Sequence, residues 1–292
     1  MKPFVKYIVI LLAITLSGML VLDLFYTVVF NTGAYRNKLM WVRDLENRPQ
    51  LDYIILGSSR ANYTLKPNLI EAQTGKEGYN LGMNSCNIIE TQALLEEFLQ
   101  HGDTKAVYVQ VDSQYRQDFP DPIGEVVWMP YINEAGVYEH FEDFGSKYKA
   151  YRYIPFYRYQ KFGGRLGLRE VFSSLFGTGY NYNSTKGYMP RYGVLEGEKD
   201  FIPDVPLVAE NLYYTNLVRY CKERDIELYF FTAPYYKFEG DIEKLDTFLP
   251  NYTNFSDSLK QPSYFSDQIH LNTKGAKRFT EIFMETYFSE TP

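Results

Sequence analysis

The sequence predicts an α/β protein in which helices cover both faces of a central parallel sheet, a three-layer α/β/α arrangement. Three observations predict it. Short apolar runs that end at Gly or other turn residues alternate with segments of helical period. The 292 residues suffice for one large α/β domain or two smaller ones. Hydrophobic residues make up 45% and charged residues 23%, a balance that excludes a mainly disordered chain.

The N-terminus comes first. Lys2 and Lys6 precede an apolar run from Tyr7 to Phe30 that only Asp23 interrupts. A bilayer core needs about 20 helical residues, so residues 1–30 are expected to form a transmembrane anchor. A cleaved signal peptide is the alternative, but Leu16-Ser17-Gly18 is a poor cleavage match and no cysteine follows there for lipidation. Lys2 and Lys6 on the short side argue for a cytoplasmic N-terminus. The main domain is then expected outside the cytoplasmic membrane, in a periplasm or at the cell surface. Residues 31–50 read as a polar juxtamembrane linker.

The sheet begins at Leu51-Asp52-Tyr53-Ile54-Ile55-Leu56, an apolar run closed by Gly57 that suits a buried parallel strand. Pro67 starts a helix that Gly75 stops. Gly78 to Gly82 reads as a second strand, Ile88 to His101 as a helix stopped by Gly102, and Ala106 to Val111 as a third strand. Leu207 to Arg224 is expected to be helical, Ile226 to Phe231 a fourth strand, and Thr273 to Phe288 a closing amphipathic helix. Residues 113–206 break the rhythm and read as an insertion leaving the third strand's carboxyl end, where a loop would overhang a site.

In such folds ligands sit at the carboxyl ends of the strands, so the residues after each strand are the ones to inspect. Gly57-Ser58-Ser59-Arg60 follows the first strand. A serine at a tight strand-to-helix turn is exposed beside backbone N–H groups that stabilise an oxyanion; alternatively, Ser58 or Ser59 caps the next helix. Ser266-Asp267-Gln268-Ile269-His270 precedes the last helix. A spacing of three lets the Asp267 carboxylate reach the His270 ring, fix its tautomer and leave Nε2 free to take a proton.

Other functions are disfavoured. The chain carries 30 Lys and Arg against 36 Asp and Glu, a net charge of −6, which argues against nucleic acid as the main partner. Two cysteines, Cys86 and Cys221, give no disulfide framework, and three histidines make a His-rich metal centre improbable. Walker loops and dinucleotide fingerprints are absent. The aromatic share, 17% with 28 Tyr, is the compositional outlier. Twelve of those tyrosines lie between Tyr115 and Tyr192 beside several arginines. They read either as packing of an irregular lid or as a platform for sugar rings with arginines for acidic groups.

Taken together, the GSSR turn and the Asp-x-x-His pair resemble the SGNH (GDSL-like) hydrolase superfamily, and the GSSR form followed by Tyr79-Asn80-Leu81-Gly82 resembles its membrane-anchored envelope branch. The resemblance covers 52–112 and 207–288. It implies a flavodoxin-like fold over 51–292 apart from the insertion. The catalytic residues it implies are Ser59 as nucleophile, His270 as base and Asp267 as its orienting carboxylate. It also implies an oxyanion hole from the Ser59 N–H and the N–H of Gly82 or Ser85. The family's third block usually ends in an asparagine donor, and Gln110-Val111-Asp112-Ser113-Gln114 has none; Gln114 or Asn84 would substitute. The implied activity is a serine esterase or O-acyltransferase acting on ester-modified envelope glycans, with no metal or organic cofactor. The alternative is a catalytically degenerate glycan-binding or scaffold subunit beside a multispan acyltransferase in the same membrane.

Overall fold

The computed structural model describes residues 2–197, 199–200, 202–203, 209–239 and 242–289. It divides into two compact units, Met1–Trp41 with Glu125–Tyr180, and Val42–Gly124 with Asn181–Pro292.

The larger unit holds the sheet. Its strands are β1 (Gln50–Leu56), β2 (Gly78–Asn80), β3 (Asp103–Gln110), β5 (Glu227–Thr232) and β7 (Tyr252–Asn254), in the order β2-β1-β3-β5-β7. A separate two-stranded sheet pairs β4 (Ile202–Pro203) with β6 (Phe238–Glu239). Every pairing of the main sheet is parallel, with Ile55 opposite Asn80 on one side and Tyr108 on the other. From β1 the chain winds outward to β2 in one direction and to β3, β5 and β7 in the other. The winding therefore reverses between β1 and β3, the place where open α/β sheets form a crevice at their strand ends.

The helices of this unit are α3 (Ser59–Asn62), α4 (Pro67–Thr74), α5 (Ile88–His101), α11 (Tyr182–Thr185), α12 (Leu212–Lys222) and α13 (Thr273–Tyr287). Local chemistry sets their ends. Pro67 opens α4 and Gly75, at φ +70°, closes it. Asn87 and Glu90 form a reciprocal capping box on α5. Asn211 caps α12 and Asn272 caps α13. Helices α4 and α13 pack on one face of the sheet and α5 and α12 on the other. Tyr53, Ile55, Tyr108 and Phe231 meet Ile70, Phe279, Phe283 and Met284 on the first face, while Phe230 meets Tyr214 on the second. Coverage on both faces explains why β1 is apolar without alternation. Cys86 and Cys221 are buried free thiols, and burial pushes the Cys221 thiol up to about 12.

Several elements differ from expectation. The strand expected over 78–82 ends at Asn80, although the Leu81 and Met83 N–H groups still bond the carbonyls of Ile55 and Gly57. β3 begins earlier, at Asp103. The helix expected from Leu207 begins at Leu212, where Asn211 supplies its cap; Leu207 and Val208 lie outside the described residues. β7 was not predicted, because Tyr-Thr-Asn has neither length nor period. The expected linker 31–50 contains a helix, α2 (Lys38–Arg43), with Leu39 to Val42 buried. Of the expected insertion 113–206, only 125–180 groups with the N-terminal helix; both flanks belong to the sheet unit.

The smaller unit is built on α1 (Lys2–Thr32), of which Pro3–Thr32 is long and apolar enough to cross a membrane. The unit also holds α6 (Ala135–Glu139), α7 (Lys147–Tyr153), α8 (Tyr157–Lys161), α9 (Gly163–Leu166) and α10 (Leu168–Leu175); α10, Tyr159 of α8 and Tyr131 meet the second half of α1. Arg158 Nη2 meets Asp23 Oδ1 at 2.8 Å, both side chains being buried, and the Phe156 N–H donates to Asp23 Oδ2 at 2.6 Å. Tyr26, Phe156 and Tyr159 form a ring cluster there. Tyr131, Tyr138, Tyr148, Tyr151 and Tyr159 are buried, so these tyrosines pack the unit and do not form an open sugar platform.

Phe283 has no exposed surface and touches Tyr108, Phe231, Phe255 and Tyr287. Phe283→Ala is expected to destabilise the sheet unit by about 3–5 kcal/mol, read as a lower denaturant midpoint at unchanged slope.

Candidate active site

The turn after β1 separates the two serines by chemistry. Ser58 is buried and caps α3; its Oγ accepts from the Arg60 N–H at 3.2 Å and donates to Gln110 Oε1 at 2.7 Å. The turn needs Gly57, whose φ of +128° and close approach to the Gln110 backbone leave no room for a side chain. Ser59 is the first residue of α3, where backbone N–H groups lack helical partners. Its Oγ lies 2.8 Å from His270 Nε2, across 211 positions of sequence.

His270 is held from its other side. Its Nδ1 lies 2.9 Å from Asp267 Oδ2 and 3.0 Å from Oδ1. Asp267 Oδ1 also accepts the Ile269 and His270 N–H groups, at 3.0 and 2.9 Å. Nδ1 therefore carries the proton, and Nε2 accepts from Ser59. Tyr63 stands edge-on to the imidazole at 5.4 Å. Partial burial works against the Asp267 charge, but the His270 hydrogen bond, the Ile269 N–H and the His270 and Arg191 charges outweigh it and lower the carboxyl to about 2.

Two arginines were not assigned these partners from the sequence. Arg191 Nη2 bonds Asp267 Oδ2 at 2.7 Å and its Nε bonds Ser266 Oγ at 2.7 Å. Arg60, directly after Ser59, is buried; its Nη1 donates to the Ile269 carbonyl at 2.9 Å and its Nη2 to the Ala233 carbonyl. Its Nε sits 2.9 Å from Asp112 Oδ2, though not in hydrogen-bond alignment, and its guanidinium stacks on Tyr235 with 3.3 Å to the ring centroid. The signal for Arg60 was its place in GSSR; nothing local revealed its partners, which come from β3, β5 and the histidine loop.

The expected oxyanion donors fare unequally. The Ser59 N–H, at the start of α3, has no partner among the described residues. The Gly82 N–H donates to Asn80 Oδ1 at 3.1 Å, so it is already committed, and Gly82 is instead needed for packing: a Cβ there would meet Ala61 Cβ at 2.6 Å. Ser85, at φ +59°, and Asn84 lie on the same loop. Asn84 Oδ1 accepts from Asn62 Nδ2 at 3.0 Å, which ties this loop to α3 and leaves the Asn84 amide N–H groups as donors. In the third block Gln110 is held between Ser58 and Asp112, and the Gln114 N–H caps onto Asp112. Asp112 is matched by the Arg60 charge.

Among the described residues, no three His, Cys, Asp or Glu side chains gather so as to hold a metal ion. No family model matches the chain, and no curated protein matches it.

Removing one partner of the Arg60–Asp112 pair strands the other charge in the interior. Arg60→Met and Asp112→Asn are each expected to cost about 3–5 kcal/mol, and the double variant less than their sum, read in a denaturation cycle. For Asp267 the sign follows from its lowered value. The ordinary aspartate value is 3.8, so the stabilisation from its charge is complete above about pH 4 and is lost as pH falls through about 2. The melting-temperature gap between wild type and Asp267→Asn should be constant above about pH 4 and close below it.

Proposed function

We propose that the chain is an SGNH-type serine esterase or O-acyltransferase acting on ester-modified glycans of the cell envelope. The observation that carries this reading is the Ser59 Oγ to His270 Nε2 distance of 2.8 Å, with Asp267 on Nδ1. The sheet order supports the flavodoxin-like form of the fold, since β1 and β3 flank the winding reversal and Ser59 follows β1. The apolar helix α1 supports a single-pass anchor. Lys2 and Lys6 support a cytoplasmic N-terminus with the sheet unit outside.

Ser59 Oγ attacks the acyl carbonyl carbon while its proton passes to His270 Nε2. Asp267 stabilises the resulting imidazolium. The tetrahedral oxyanion takes hydrogen bonds from the Ser59 N–H and from Ser85 or Asn84. As the ester bond breaks, His270 returns the proton to the leaving sugar oxygen, and Ser59 retains the acyl group. Water or a second sugar hydroxyl, deprotonated by His270, then attacks the acyl-serine and releases an acid or a new ester. The catalytic groups are the same for both outcomes; the acceptor decides.

One observation favours a non-catalytic glycan-binding or scaffold role: Gln110 is engaged by Ser58 and Asp112 and so does not stand in for the family's asparagine donor. Purified full-length protein with p-nitrophenyl acetate separates the two. Ser59→Ala and His270→Ala should reduce nitrophenol release to background, and Asp267→Asn should reduce it on the order of 10³–10⁴-fold. Equal rates for wild type and Ser59→Ala would refute the catalytic assignment. Glycan binding that survives both alanine substitutions, with no wild-type turnover, would select the scaffold role.

A further inference from the structure

The smaller unit carries a surface that the acyl chemistry does not use. On α10, Leu168, Phe172, Leu175 and Phe176 at its end are exposed, at 62, 50, 51 and 72%. Their spacing puts them on one helix face. The opposite face is buried against the end of α1 and the turn after it: Ser174 Oγ donates to the Ala34 carbonyl at 2.9 Å, and the Ala34 N–H donates to the Ser174 carbonyl at 2.9 Å. Nearby in sequence, Tyr153 and Ile154 are exposed at 69 and 46%. An exposed apolar face of this kind on a water-soluble surface is costly and marks a contact.

The charge of the same segment is distinctive. Residues 147–169 hold seven Lys and Arg and no Asp or Glu, in a chain of net charge −6. Arg158 is held by Asp23 and Lys147 by Glu125. Among the described residues Lys149, Lys161 and Arg165 are exposed without an ion pair, and Arg169, with a side chain 91% exposed, has only a 4.0 Å approach to Glu170. Apolar face and basic rim together are the pattern of an element lying in a membrane interface.

The register of α1 says which surface is met. Lys6 is the last charge before the apolar run. About 20 residues of helix span a hydrocarbon core, so counting from Tyr7 places the far boundary near Tyr26. Asp23, Tyr26 and Thr27 are the residues that Phe156, Arg158 and Tyr159 contact. Helix α10 meets α1 at Val29 to Ala34, about 5–12 Å further along the axis, at headgroup depth.

We propose that residues 147–176 form a membrane-surface platform. The Leu168, Phe172, Leu175 and Phe176 face and the Tyr153–Ile154 turn enter the leaflet through which α1 emerges. Lys149, Lys161, Arg165 and Arg169 meet its anionic headgroups. The proposal rests on α1 crossing the membrane and is independent of the Ser59 chemistry.

The test uses the full chain in nanodiscs of phosphatidylcholine and phosphatidylglycerol, with a nitroxide at Phe172→Cys or Phe176→Cys; the native cysteines are buried. Ile14→Cys, mid-way along the span, and Lys105→Cys, 79% exposed in the sheet unit, are controls. Labels at 172 and 176 should collide several-fold more with oxygen than with a water-soluble nickel chelate, as at 14, with the reverse at 105. The triple charge reversal Lys161→Glu, Arg165→Glu, Arg169→Glu, or discs lacking phosphatidylglycerol, should shift both labels towards the water pattern. Labels at 172 and 176 that behave as at 105, or that neither reagent reaches because protein covers them, overturn the platform. Insensitivity to both charge changes overturns its headgroup half. If Ile14→Cys is itself open to nickel, α1 does not cross and the platform fails with it; if only 172 and 176 are, the crossing stands and the platform alone fails.

Discussion

The rest of the candidate site depends on one buried cation. Arg60 follows Ser59 in sequence, and its guanidinium reaches Asp112 beyond β3, the Ala233 carbonyl beyond β5 and the Ile269 carbonyl beside His270. The ends of three strands and the histidine loop are thereby referred to one planar group, whose fork of donors fixes direction as well as distance. A buried ion pair is weak evidence for net stability, because desolvation offsets most of its attraction. Its value here is registration. Ser59 and His270 are 211 positions apart, and in the chemistry proposed above a displacement of about 1 Å between them would cost on the order of 10²-fold in rate. The residue next to the serine holds the backbone next to the histidine.

The same economy of contacts governs Asp267. It accepts two backbone N–H groups, orients the imidazole and meets Arg191. These partners keep it ionised and its Oδ atoms fixed, which is what an orienting carboxylate needs. Arg191 also draws on the charge that an imidazolium would require in the proposed chemistry. Half-exposed and 76 positions upstream, it makes the carboxylate better ordered and less basic.

Much of this was legible in the sequence, for identifiable reasons. The run Leu51–Leu56 reads as a buried parallel strand because helices cover both sides of it, and Pro67, Gly75 and Gly102 mark helix ends by local chemistry alone. The pairing of Asp267 with His270 is a spacing within one turn, so it is also local. What could not be read is non-local. β7 is three polar-to-aromatic residues paired only to β5. Gly82 looked like a free donor because the hydrogen bond that its N–H gives to Asn80 Oδ1 arises only on folding. Ser58 and Ser59 are equivalent as letters; the capping bond to Arg60 N and the link to Gln110 distinguish them.

Asp23 shows the reverse case, in which a sequence anomaly had a structural answer far away. An acid in an apolar span is expensive unless it is paired. Its partners, Arg158 and the Phe156 N–H, are supplied by a segment more than 130 positions later, itself buried under Tyr26 and Tyr159 rings. The span therefore need not end at Asp23. On the proposed crossing, the contacts of Asp23 with Phe156 and Arg158 fall where α1 would leave the hydrocarbon, so a charge pair and not composition alone would tie the aromatic segment to that depth.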